Sequence, residues 1–260
     1  IAFNSDREGG TNVFVIPSVG GPARQITDHS SATSLGGWYP AGDALIATSG
    51  RESLRTTLYR LDLASGRMKR LLLDNRRILQ PSVSPNGKWI AYTQGSLSDV
   101  IRKGYRGAAA YQIMVLPADG SGPARQLTDG DRNSMWPVWS PDSKSVITAS
   151  ERGGGLQTLW KLPLEGGKPT ALVANPPDAI RYTSAAQKSP LVAFECENRI
   201  GIAEMSPSVP KFLDIICRTD ERGPRVSNQT FSSTGVSEFQ LSPDGKRAAI
   251  VIRGDIFWIP

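Results

Sequence analysis

Catalysis by side chains needs acids, bases, nucleophiles or ligands at workable spacing, and this chain is short of them. It has one histidine, His29, whose neighbours Asp28 and Ser30 are too close along the chain to complete a Ser-His-Asp relay with it. A loop histidine satisfied by a local hydrogen bond is the ordinary reading. The two cysteines, Cys196 and Cys217, fall on strands separated by a third strand. Adjacent strands lie ~4.8 Å apart, so second neighbours stand at about twice that, beyond disulfide reach. Both are expected to be buried free thiols. No His/Cys group has metal-ligand spacing, and no cofactor is expected.

Arginine is the chemistry that remains. Six turns each carry one or more: Arg7, Arg51 with Arg55, Arg102 with Arg106, Arg152, Arg199 and Arg253. A guanidinium on every turn of one face suits an anion such as a peptide carboxylate, which it grips with two parallel hydrogen bonds. The competing reading is local ion pairing. Asp6 and Glu8 flank Arg7, Glu52 follows Arg51, and Glu151 precedes Arg152. Arg102 and Arg106 have the fewest acidic neighbours, with Asp99 near. With Arg51 they are the candidate carboxylate-binding residues.

These arginines must be positioned by a repeated element. Trp38-Tyr39-Pro40-Ala41-Gly42-Asp43, Val83-Ser84-Pro85-Asn86-Gly87-Lys88, Trp139-Ser140-Pro141-Asp142-Ser143-Lys144 and Leu241-Ser242-Pro243-Asp244-Gly245-Lys246 are copies of one tight turn between apolar runs. Proline presets φ, and Asp or Asn followed by Gly tolerates φ > 0. Ala41 and Ser143 interrupt the pattern, and Ala186-Gln187-Lys188-Ser189-Pro190 replaces it in a fifth copy. A second run recurs in phase: Thr57-Leu58-Tyr59-Arg60-Leu61-Asp62, Gln112-Ile113-Met114-Val115-Leu116-Pro117 and Thr158-Leu159-Trp160-Lys161-Leu162-Pro163 among its copies, with Arg199–Glu204 the weakest. The period lies near the ~40–50 residues of a four-stranded propeller blade. A Gly-rich turn then leads to a short last strand, as in Gly20–Asp28 and, almost residue for residue, Gly120–Asp129.

The expected fold is therefore all-β: a six-bladed β-propeller of four-stranded antiparallel blades in one domain, 1–260. The first blade lacks its opening strand and the last its closing one, so the chain reads as a fragment of a longer protein. In such blades the Pro-Asp-Gly turns share one face, and the arginine-bearing turns lie on the other. The longest of these connections, Gln94 to Tyr111, is where function is expected. Recurring Trp38, Trp139, Trp160 and Trp258 read as core.

Composition agrees with a globular protein: 39% hydrophobic and 21% charged residues. The net charge of +6 is spread along the chain, so neither nucleic acid nor membrane is an expected partner. Location stays open between cytoplasm and periplasm.

The repeats resemble the WD40-like units of TolB and the tricorn proteases. Tricorn-like proteases are the closer match, through Ile1–Arg7, Gly37-Trp38-Tyr39-Pro40, Tyr105-Arg106-Gly107, Trp136-Pro137-Val138-Trp139 and the ending Arg253-Gly254-Asp255-Ile256-Phe257. The resemblance covers nearly the whole chain. It implies a non-catalytic first propeller that borders a catalytic chamber, passes peptides and anchors their C-terminal carboxylates through arginines. It further implies a serine-peptidase core elsewhere in the parent chain, with downstream domains as partners and possible homo-oligomers. The alternatives are a TolB-like protein-interaction scaffold, or the propeller lid of another hydrolase.

Overall fold

The computed structural model describes residues 1–52, 55–73, 76–95, 103–215, 236–252 and 255–259. It divides into two compact units, Ile1–Asp214 and Ile215–Pro260. Every regular element among the described residues is a β-strand. The first unit opens with a three-stranded sheet, β1 (Ala2–Ser5), β2 (Asn12–Val15) and β3 (Arg24–Gln25). Four four-stranded sheets follow. The second sheet is β4 (Thr33–Trp38), β5 (Ala44–Ser49), β6 (Thr57–Asp62) and β7 (Met68–Arg70); the third is β8 (Arg77–Val83), β9 (Trp89–Gly95), β10 (Gln112–Pro117) and β11 (Arg125–Gln126). The fourth is β12 (Ser134–Trp139), β13 (Ser145–Ser150), β14 (Thr158–Pro163) and β15 (Thr170–Ala171); the fifth is β16 (Arg181–Ala185), β17 (Leu191–Cys196), β18 (Arg199–Glu204) and β19 (Lys211–Phe212). The described residues of the second unit form a three-stranded sheet, β20 (Val236–Leu241), β21 (Ala248–Ile252) and β22 (Asp255–Ile259). All are antiparallel meanders, as the repeat predicts.

The Pro-Asp-Gly turns close by a fixed hydrogen-bond circuit. Ser140 Oγ donates to Asp142 Oδ1 (2.6 Å) and accepts the Ser145 N–H (3.0 Å), while Asp142 Oδ1 also accepts the Lys144 N–H (3.0 Å). Ser84 with Asn86, and Ser242 with Asp244, repeat the same circuit. The serine hydroxyls hold the Asp142 and Asp244 carboxyls below their ordinary range. Ser143 takes the left-handed conformation (φ 59°) that Gly87 and Gly245 take in their copies. Its hydroxyl accepts the Asn86 N–H of the neighbouring sheet at 3.0 Å. The apparent interruption at Ser143 is thus an inter-sheet link.

Four apolar clusters fill the spaces between the five sheets of the first unit. Successive residues of one strand go to opposite clusters. In β10, Met114 and Leu116 pack toward the second sheet, and Ile113 and Val115 toward the fourth. Both faces of the middle strands are covered, which is why Ala44-Leu45-Ile46-Ala47 is apolar throughout instead of alternating. Each fully buried large side chain contributes about 1.5–3 kcal/mol by leaving water.

Basic side chains join neighbouring sheets. Arg24 donates to Leu63 O (3.1 Å), Lys69 to Asp119 O (3.0 Å), Arg125 to Leu164 O (2.6 Å) and Lys161 to Met205 O (3.4 Å). Cys196 is a buried free thiol, pushed up by burial, whereas Cys217 lies outside the described residues. Trp139 is core, as expected, with its indole N–H on Ser82 O. Trp258 is not: it is 61% exposed, because β22 is an edge strand of a three-stranded sheet, and Arg247 covers one side of its ring.

Candidate functional site

In the four four-stranded sheets the arginine-bearing turn lies at the same end of its sheet, since each connects the second strand to the third, and Arg7 sits in the turn between β1 and β2. Arg102 and Arg253 lie outside the described residues. Arg106, in the β9–β10 connection, is held by Asp131 of the β11–β12 loop, with its Nε and Nη2 both 2.7 Å from Asp131 Oδ1. Arg132 Nε stands 3.6 Å from the other oxygen. Arg152 reaches Asp129 at 2.8 Å and not its neighbour Glu151. That carboxylate instead accepts the Gly104 N–H (3.0 Å) and the Asn133 amide (2.9 Å). The structure therefore brings Arg106, Arg132 and Arg152 onto Asp131 and Asp129, which are themselves joined by the Asp131 N–H on Asp129 Oδ1 at 3.3 Å. The Arg106 hydrogen bond keeps Asp131 well ionised.

The other turn arginines are separate. Arg51 lies against Met68 Sδ of β7, while Glu52 pairs with Arg70 at 3.6 Å. Arg7 bonds Ser5 Oγ and stacks over Phe3 and Phe14. Arg199, the first residue of β18, pairs with Glu197 at 2.6 Å and covers Phe212. His29 Nδ1 accepts the Ser31 N–H. Partners distant in sequence, above all Asp131, were invisible from the local pattern; the acidic Asp129-Gly130-Asp131 loop was the available signal.

A second feature lies on the first strands of the sheets. The first strands of neighbouring sheets in the first unit pack beside one another. In the four four-stranded sheets the first strand carries a bulge, with register shifts at Leu35/Gly37, Leu79/Ser82, Met135/Val138 and Arg181/Ser184. In three of them one bulge residue is left-handed: Gln80 (φ 51°), Trp136 (φ 54°) and Tyr182 (φ 51°). That conformation costs a residue with a side chain about 1–2 kcal/mol. Cross-sheet bonds hold it in place. Trp136 N–H donates to Gln80 Oε1 (3.0 Å) and Thr93 Oγ1 (3.2 Å), Thr183 Oγ1 donates to Trp136 O, and the Trp136 and Tyr182 rings lie 5.2 Å apart. Against these strands lies a cavity of about 310 Å³. Its wall runs from Gly36 through Pro81 and Pro137 to Ser184, with Trp136 and Gln187 at its sides, and among the described residues no charged one lines it. Prolines inside a strand mark bulges and unpaired edges, so Gln80-Pro81 and Trp136-Pro137 were the sequence signal for this site.

Known proteins share this fold. The family model of the tricorn protease N-terminal beta propeller domain matches residues 1–206. The chain belongs to that family. Over 267 residues this propeller domain is 27% identical to tricorn protease homolog 1 of Streptomyces coelicolor, covering 100% of the chain and 24% of that protein. The crystal structure of the tricorn protease superposes with a TM-score of 0.66 at 19% identity, over 96% of this chain and 24% of that one. TolB from Acinetobacter baumannii gives 0.63 at 15% identity, over 92% and 53%. The propeller domain thus spans about a quarter of the length of its tricorn relatives. The sheets of the first unit are propeller blades, and the bulged strands are the first strands of the four four-stranded ones.

Proposed function

We propose that the chain is the non-catalytic, six-bladed propeller domain, residues 1–260, of a tricorn-like serine peptidase, and that it handles peptides on their way to or from the catalytic chamber. The family match across residues 1–206 carries this reading. The loop face supports the peptide-handling part of it, since it is rich in guanidinium. Arg106, with Arg102 and Arg51, is the candidate anchor for a peptide's C-terminal carboxylate. Asp131 occupies Arg106 in the free chain. Exposed pairs of this kind contribute only about 0.2–1 kcal/mol, so an incoming carboxylate can take the place of Asp131.

The experiment is a binding titration with peptides carrying a free or an amidated C-terminus. Free peptides should bind more tightly, Arg102→Ala/Arg106→Ala should abolish the difference, and Asp131→Asn should enlarge it. Hydrolysis of a peptide library by the pure chain, lost on mutating one of its serines, would overturn the non-catalytic reading.

A further inference from the structure

The cavity on the blade-first strands lies at the end of the sheets bearing the Pro-Asp-Gly turns, opposite the arginine loops: Pro85, Ala186 and Gln187 of those turns reach its rim. Resting on the peptide-handling reading above, we propose that this cavity is a subsite for one bulky, uncharged side chain of an extended peptide, aromatic or large aliphatic.

Three observations select that ligand. First, the backbone edge of the wall is already occupied. The Leu35 N–H is on Asn4 Oδ1 at 2.8 Å and the Trp136 N–H is on Gln80 Oε1, while Pro81 and Pro137 have no N–H. The acceptors Ser82 O and Trp136 O are taken by the Trp139 indole and the Thr183 hydroxyl. A passing peptide finds few groups with which to add as a strand, so recognition falls to its side chains. Second, the chain has a net charge of +6 and 21% charged residues, yet among the described residues none that is charged lines the cavity. An ionised side chain entering it would lose water and gain no counter-charge. Third, its size of about 310 Å³ stands at the lower end of the range of ligand pockets, enough for one large side chain with its peptide unit. The Trp136 ring and the two prolines offer flat apolar contact, and Gln80 and Ser184 offer neutral hydrogen-bonding groups at the margin.

Tryptophans 136 and 139 make the site its own reporter. The 260-residue chain is titrated, by intrinsic fluorescence and calorimetry, with end-blocked tetrapeptides Ac-Gly-Gly-X-Gly-amide in which X is Phe, Leu, Gly, Glu or Lys. The Phe peptide is expected to bind about tenfold more tightly than the Gly, Glu and Lys peptides, the effect of burying one large apolar side chain. Ser184→Trp, on an exposed side chain of the wall, should fill the cavity and remove that preference. Gln187→Trp is the second blocking variant should the first fail to fold, as judged by circular dichroism. Val19→Trp, on a fully exposed turn residue, should leave binding unchanged. Equal affinity for all five peptides, or Phe selectivity that survives both blocking variants, overturns the subsite. Because the peptides carry no terminal carboxylate, the result is independent of the arginine anchor. If free-carboxylate peptides bind with no side-chain preference, the subsite falls and the peptide-handling reading stands; if no peptide of either kind binds, both fall.

Discussion

Ser143 shows how one position can carry two opposed energies. Its left-handed backbone costs about 1–2 kcal/mol relative to glycine, while its hydroxyl accepts the Asn86 N–H from the next blade. A hydrogen bond of this type contributes about 0.5–1.5 kcal/mol. Ser143→Gly should therefore change stability little, and Ser143→Ala, which keeps the strain and like the glycine variant lacks the bond, should fall about 1–2 kcal/mol below Ser143→Gly. Urea midpoints of the two variants check this, and an alanine variant as stable as the glycine one would refute the account. Asp142 and Asp244 belong to the same scale. Their carboxyls are lowered by serine hydroxyls, so their contribution is complete above the ordinary carboxylate value and is lost as pH falls from there through the lower folded value. Asp142→Asn should flatten the acid limb of the stability profile, measured by thermal melts across pH.

At the level of the element, the turn between β4 and β5 keeps the proline and glycine of its siblings but not their polar residues. Tyr39 stands where the other copies have serine, and Ala41 where they have Asp or Asn. The closing circuit is absent, and a longer-range bond replaces it: the Tyr39 hydroxyl donates to Ala118 O at 3.0 Å, with Arg60 over its ring. Burial pushes the phenol up to about 12. A folded value above the ordinary value of about 10 means the contribution is complete below pH 10 and is lost as pH rises through 12. Tyr39→Phe should cost about 1 kcal/mol at neutral pH from the lost hydrogen bond. It should also weaken the alkaline loss of stability between pH 10 and 12; an unchanged alkaline limb would show that Tyr39 does not report it. The strand pattern and the turn positions were legible here, because period and turn chemistry are local. The target of Tyr39 was not, since Ala118 is 79 residues away.

For the whole molecule, the basic residues have a structural use that composition concealed. A spread charge of +6 reads as solvated surface, yet Arg24, Lys69, Arg125 and Lys161 each donate to a carbonyl of the following blade. Arg24→Ala and Arg125→Ala should each cost about 0.5–1.5 kcal/mol. Their sites join different blade pairs, so the double variant should lose the sum to within about 0.5 kcal/mol. Denaturant melts decide this, and a double variant no less stable than either single would remove the links from the account.

By itself, the sequence determined the all-β class, the strand order, the blade period and the tricorn-like membership, because hydrophobic alternation and Pro-Asp-Gly turns are set by neighbours along the chain. It also pointed to arginine as the reactive inventory. Only the tertiary structure decided which arginines are already paired and where a cavity lies. Asp131 meets Arg106 across 25 residues, and Gln80 meets Trp136 across 56. Such contacts are made by the packing of one blade on the next, which no local pattern encodes.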